Sequence, residues 1–118
     1  MTTAFVKVAV DTETGKVEVV DHVEVADCGT AVHPQSLATQ IKGGAVMGYG
    51  LALGERYVFD PKLALSASIG FHNAKAPTIL DIPSEMTVTN VGLPDESNPV
   101  GAKVSVSPFR ALRQPPYW

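Results

Sequence analysis

Two runs of β-branched residues stand on either side of one polar turn, and this arrangement limits the fold of the chain more than any other feature. Residues 4–10 carry Phe5, Val6, Val8 and Val10; residues 17–26 carry Val17, Val19, Val20, Val23 and Val25; between them lies Asp11-Thr12-Glu13-Thr14-Gly15-Lys16. Alternating β-formers around a polar turn with a late glycine predict an antiparallel hairpin.

A helix is predicted next. After the short connector Asp27-Cys28-Gly29-Thr30-Ala31-Val32, His33-Pro34 marks a helix start, because proline suits the first helical position, where its missing N–H is not needed. The apolar spacing of Leu37, Ile41, Val46, Met47 and Leu51 predicts a helix from Pro34 to about Tyr57. Gly43, Gly44, Gly48, Gly50 and Gly54 burden it, since each interior glycine costs about 1 kcal/mol relative to alanine. Close approach of another backbone and close approach of a ligand are the two readings, and both stand at this point. Further on, Leu63, Leu65 and Ile69 are expected in a short extended piece, Pro77 and Pro83 bracket Thr78–Ile82, and Met86–Val91 reads as a strand.

The 118 residues suit one small domain. All twelve acidic residues precede Lys103, whereas two of the nine basic residues, Arg110 and Arg113, follow it. No basic stripe exists to neutralise a phosphate backbone, so nucleic-acid binding is disfavoured. A single cysteine, Cys28, forms no internal disulfide. The first residues lack the pattern of a signal peptide, and no run reaches membrane-spanning length; a cytoplasmic setting is expected.

No complete catalytic set emerges from the residues alone. Gly48-Tyr49-Gly50-Leu51-Ala52-Leu53-Gly54 has the wrong spacing and the wrong setting for a dinucleotide loop. His22, His33 and His72 have no metal-ligand spacing and read as surface or capping histidines; Cys28 reads as a small buried residue.

Three segments in order do carry a resemblance. Asp27-Cys28-Gly29-Thr30-Ala31-Val32-His33-Pro34 is similar to D-x-G-x-x-x-N-P. Gln40-Ile41-Lys42-Gly43-Gly44-Ala45-Val46-Met47-Gly48-Tyr49-Gly50 is similar to Q-x-E-G-G/A-x-x-x-G-x-G, and Asn98-Pro99-Val100-Gly101-Ala102-Lys103 to N-P-x-G-A-K. Together they resemble the molybdenum-binding large subunit of the xanthine dehydrogenase and aldehyde oxidase family, with His33 in place of asparagine and Lys42 in place of glutamate.

The resemblance spans residues 4–103 and implies an α+β fold: a β-hairpin, a long Gly-rich helix and at least one further strand, a fragment of the molybdopterin-binding domain. It implies a pterin-chelated molybdenum cofactor in the intact enzyme, hydroxylating an aldehyde or N-heterocycle with water-derived oxygen, and FAD and iron–sulfur subunits as partners. Gln40, Gly43, Gly44, Gly101, Ala102 and Lys103 would lie at the cofactor. A chain cut from a larger subunit would also expose an apolar face and self-associate.

After Lys103 the likeness stops. The family continues G-V-G-E-P, where this chain has Val104-Ser105-Val106-Ser107-Pro108, so Ser107 stands at the position of the base glutamate. An unactivated hydroxyl does not replace a carboxylate base near neutral pH. Codons permitted for residues 104–118 exist that, with one G restored after the lysine codon, read G-V-G-E-P followed by a glycine-alanine run. A slipped reading frame would therefore explain both the missing glutamate and the tail; the alternative is a genuine basic tail that binds a partner. Residues 1–103 are thus expected as a partial domain and 104–118 as a divergent tail. The functional expectations are an inactive C-terminal fragment of the large subunit, a small subunit completing a split enzyme, or a non-catalytic α+β interaction module.

Overall fold

The structure is a computed structural model that describes residues 1–56 and 58–104. The hairpin forms as expected. Strand β1 (Thr2–Val10) pairs antiparallel with β2 (Val17–Ala26). Asp11 builds the turn between them: its backbone carbonyl accepts from the Gly15 N–H at 2.8 Å and its carboxylate accepts from the Glu13 N–H at 2.9 Å. Gly15 sits at φ +72°, a left-handed conformation that a side chain would strain.

The alternation is interrupted inside β2. Lys7 pairs with Asp21 but Val8 pairs with Val19, which leaves Val20 as the extra residue of a β-bulge. The bulge shifts the parity, so Val19 is buried on one side of it and His22, Glu24 and Ala26 on the other, while Val23 and Val25 turn outward. The sequence pattern does not reveal this, because the valines continue through the bulge. As a result His22 is neither a surface nor a capping residue; it is 1 % exposed.

Helix α1 (Pro34–Tyr49) starts where the proline predicts, and His33 caps it by accepting the Ser36 N–H on Nδ1 at 3.0 Å. The imidazole thus fills the role an asparagine side chain plays at such positions, satisfying an N–H that the helix leaves unpaired. Ile41, Gly44, Ala45, Gly48 and Tyr49 form its buried stripe at helical spacing. Ile41 closes the small core with Ala26 and Cys28, flanked by Leu37 and Val88.

The α-helix ends before Tyr57. Gly50–Gly54 form a π-helical turn closed by the Glu55 N–H on the Gly50 carbonyl at 2.7 Å, after which Glu55 is extended. The cause is the returning chain. A Cβ on Gly50 would lie 2.9 Å from Pro77 Cδ, and one on Gly54 would lie 2.8 Å from the Lys75 carbonyl oxygen. These two glycines therefore admit this chain's own backbone.

Leu63, Leu65 and Ile69 form no strand; they are exposed in an excursion held by isolated bridges between Glu55 and Ala74 and between Phe59 and Ser66. Asp60 turns that excursion by accepting the Lys62 and Leu63 N–H groups at 2.8 and 3.0 Å. Strand β3 (Met86–Asn90) appears as expected and pairs parallel with β2, giving the sheet order β1-β2-β3. The architecture is α+β, with α1 covering one sheet face.

The opposite face is bare: Phe5 pairs with Val23 and Val23 with Thr87, and Phe5 is 72 % exposed.

Candidate cofactor-facing site

The first and third motifs meet. The segment after β2 and the segment 98–103 lie side by side, joined by an antiparallel bridge between Gly29 and Ala102. The Thr30 N–H donates to the Gly101 carbonyl and the Lys103 N–H to the Cys28 carbonyl, both at 2.9 Å. Lys103 Nζ lies 2.8 Å from Asp27 Oδ2. A contact across this much sequence is invisible to local patterns, yet three motif residues, Asp27, Gly101 and Lys103, are the ones that make it.

Two glycines allow the approach. Gly29 has φ +65°, and a Cβ there would lie 2.3 Å from the Gly101 carbonyl oxygen and 2.8 Å from the Lys103 nitrogen. Gly101 has φ +72°, with Thr30 Oγ1 only 2.8 Å from its own would-be Cβ. Two asparagines complete the junction. Asn98 accepts the Gly101 N–H at 2.7 Å and donates to the Ala102 carbonyl at 2.9 Å. Asn90, at the end of β3, accepts the Cys28 N–H at 2.9 Å and donates to the Gly29 carbonyl at 2.8 Å. Sequence reasoning saw Asn90 only as a strand residue; a polar amide closing a β-rich run was the available signal.

The Lys103 ammonium, through its hydrogen bond, holds the Asp27 carboxyl below the ordinary aspartate range, with smaller help from the Gly29 N–H. A carboxyl lowered in the folded state stabilises above its unfolded value and loses that contribution as pH falls through the folded one. Stability from this pair is thus expected to disappear below about pH 3.8, and Lys103→Met is expected to return Asp27 toward ordinary titration. Carboxyl ¹³C NMR across an acid titration reads both.

The helix motif stands apart from that junction. Gln40 and Gly43 are exposed and three residues apart, hence neighbours on one side of α1. No hydrogen bond engages the Gln40 carboxamide among the described residues, and a Cβ on Gly43 would meet nothing within 4 Å. Gly44 lies on the buried stripe. A cleft of about 730 Å³ lined by Lys16, Tyr49, Gly54, Lys75 and Pro77 contains none of the predicted site residues. Ser107 lies outside the described residues.

Among the described residues no three His, Cys, Asp or Glu side chains gather as a metal-ligand set, and no helix is long and apolar enough to cross a membrane.

A three-stranded sheet covered on one face by a Gly-rich helix, with two glycine loops zipped at its end, is an α+β arrangement. The family model of the molybdopterin cofactor-binding domain matches residues 1–83. The chain belongs to that family, as a fragment of the molybdenum hydroxylases. It is 31% identical over 99 residues to the probable hypoxanthine oxidase XdhD of Escherichia coli, covering 84% of this chain and 10% of that protein. To the carbon monoxide dehydrogenase large chain of Hydrogenophaga pseudoflava it is 33% identical over 105 residues, covering 86% and 12%.

Among solved structures, the aldehyde oxidoreductase of Desulfovibrio desulfuricans superimposes with a TM-score of 0.78 at 33% identity, over 94% of this chain and 12% of that one. Quinoline 2-oxidoreductase of Pseudomonas putida gives 0.79 at 26% identity, over 92% and 13%. The chain therefore spans about a tenth of the length of the curated relatives it matches.

Proposed function

We propose that the chain is a C-terminal piece of a molybdenum hydroxylase large subunit that forms one wall of the cofactor site and is inactive by itself. The observation that carries this reading is the pairing of Gln40 and Gly43: an unengaged carboxamide beside bare backbone, on a helix whose other glycines face a buried stripe or the chain's own return segment. A carboxamide offers two donors and an acceptor, and a glycine lets a flat ring approach the main chain. These residues fit a pterin.

When bound, the pterin-held molybdenum supplies the redox chemistry that hydroxylates an aldehyde or N-heterocycle. This chain's residues supply position. Gln40 would hydrogen-bond the pterin, Gly43 and Gly44 would keep the helix slim enough to admit it, and Gly101, Ala102 and Lys103 would carry the second loop toward it. Proton removal needs a base at position 107, and the serine there leaves the site without one. The remainder of the large subunit and the FAD and iron–sulfur subunits complete the enzyme.

The bare sheet face around Phe5 and Val23 favours one variant of this reading, in which the chain docks as a separate small subunit onto a cofactor-holding polypeptide. Metal analysis of the purified chain tests the proposal. Metal-free, inactive protein is expected; stoichiometric molybdenum in the chain alone would overturn it, and molybdenum together with a co-purifying second polypeptide would establish the small-subunit variant.

Gly43→Ala separates the two reasons for a helical glycine. In the chain alone it is expected to stabilise by about 1 kcal/mol, because nothing opposes the added methyl. In a complete large subunit the same change is expected to lower molybdenum occupancy. Thermal denaturation reads the first effect and metal analysis the second.

A further inference from the structure

The largest fully buried side chains among the described residues are polar. His22 and Glu24, two residues apart on β2, are 1 % and 0 % exposed, and His22 Nε2 lies 3.1 Å from Glu24 Oε2. Tyr49, the last residue of α1, roofs the pair with its ring edge-on to the imidazole at 5.7 Å and 82°. The β-bulge at Val20 brings the pair inside, since without it the outward parity would continue along β2.

Among the described residues no other charge balances the pair. In the sheet His22 lies between Val6 and Met86, and Glu24 between Ala4 and Val88. From α1 the only titratable member of the buried stripe is Tyr49, and the π-helical turn Gly50–Gly54 carries none. The remaining polar atoms, His22 Nδ1, Glu24 Oε1 and the Tyr49 hydroxyl, have no hydrogen-bond partner among the described residues.

Proton counting then fixes the preferred state. With two protons the pair is imidazolium beside neutral carboxyl, one unbalanced buried positive charge. With none it is carboxylate beside neutral imidazole, one unbalanced buried negative charge. Only the single-proton state carries no net charge, wherever that proton sits, and an uncompensated buried charge is strongly destabilising.

We propose that His22, Glu24 and Tyr49 form a proton-dependent latch that seats the C-terminal half of α1 on the sheet, closed while the His22–Glu24 pair holds one proton and loosened when that proton is lost. Opening follows from hydration: a lone buried carboxylate draws water to itself, and the imidazole that meets Tyr49 is the group displaced. The helix affected is the one that presents Gln40 and Gly43, although the latch itself needs only this chain and stands whether or not the cofactor reading holds.

Burial pushes the Glu24 carboxyl above its ordinary value of 4.5, opposed in part by the hydrogen bond from His22, and burial with the Glu24 charge pushes the Tyr49 hydroxyl up to about 12. A carboxyl raised in the folded state keeps a proton that the unfolded chain has released, so stability falls as pH rises. Between about pH 4.5 and 6.5 the unfolded chain holds one proton on the two groups as well, so stability is level there and the loss begins above about 6.5, where an unfolded histidine has discharged.

The test is thermal and chemical denaturation of the whole chain from pH 5 to 8.5, beside Glu24→Gln, which keeps the shape and an acceptor for His22 but holds no titrating proton. The wild-type unfolding constant is expected to rise with pH, approaching ~10-fold per unit at full slope, and the variant is expected to lose that slope. Carboxyl ¹³C NMR of the wild type keeps the proposal testable should Glu24→Gln fail to fold: Glu24 is expected to titrate above the ordinary glutamate range. A Glu24 that titrates within that range, or a folded variant that keeps the wild-type slope, would overturn it.

Discussion

Gly29→Ala is expected to cost about 3 kcal/mol or more, combining a left-handed backbone conformation of about 1–2 kcal/mol with a steric clash of similar size. The added methyl would stand 2.3 Å from the Gly101 carbonyl oxygen and 2.8 Å from the Lys103 nitrogen, both main-chain atoms that no rotamer change can move aside. The two loops must separate to admit it. With them go the bridge to Ala102, the Thr30 to Gly101 hydrogen bond and the alignment of Lys103 with Asp27. Small domains are stable by only about 5–15 kcal/mol in total, so a loss of this size is a large share of the whole. Denaturant unfolding measures it, and Gly15→Ala is the control: its φ of +72° makes it strained as well, but nothing lies within 4 Å of the new methyl. A Gly15→Ala loss as large as that of Gly29→Ala would show that loop contact adds nothing.

Restoring the reading frame after Lys103 is expected to have the larger effect on chemistry. If one base is returned to the gene, position 107 becomes the glutamate of G-V-G-E-P, and the complete large subunit regains a general base. Positioned bases contribute about 10²–10⁴-fold to rate, so hydroxylase turnover in the assembled enzyme should rise by that order over the Ser107 form. Molybdenum occupancy should change far less, because Gln40, Gly43 and Gly101 all precede position 104. Steady-state assays with aldehyde and N-heterocycle substrates, normalised to molybdenum, separate the two. Equal turnover per molybdenum in both forms would exclude position 107 as the base.

Local chemistry made much of the fold legible in the sequence. The hairpin, the start of α1 at Pro34 and strand β3 each rest on short-range signals, namely β-branched runs, a proline and a capping side chain, and each appears where expected. The bulge at Val20 escaped because it changes parity without changing composition, and so the buried His22 and Glu24 escaped with it. The early end of the α-helix escaped because its cause, the return of Lys75–Pro77 against Gly50 and Gly54, is a tertiary contact. Leu63, Leu65 and Ile69 failed as an extended piece because apolar side chains without a partner face give a strand nothing to pair with.

The junction of Gly29 with Gly101 was legible only through the resemblance, which named both loops without showing that they touch. The structure adds the reason for both glycines: a backbone crossing too close for any side chain. It also sorts the five glycines of the helix region, with Gly50 and Gly54 facing the returning chain, Gly44 and Gly48 on the buried stripe and Gly43 alone open on the exposed side.

Genomic sequencing through the Lys103 codon and its flanks tests the central claim, that a molybdenum hydroxylase large subunit is interrupted within its cofactor loop by a slipped frame. The account predicts that a one-base shift at this point restores G-V-G-E-P with a glutamate at position 107, and that in-frame large-subunit sequence lies upstream. A confirmed sequence in which no such shift recovers the glutamate would contradict it.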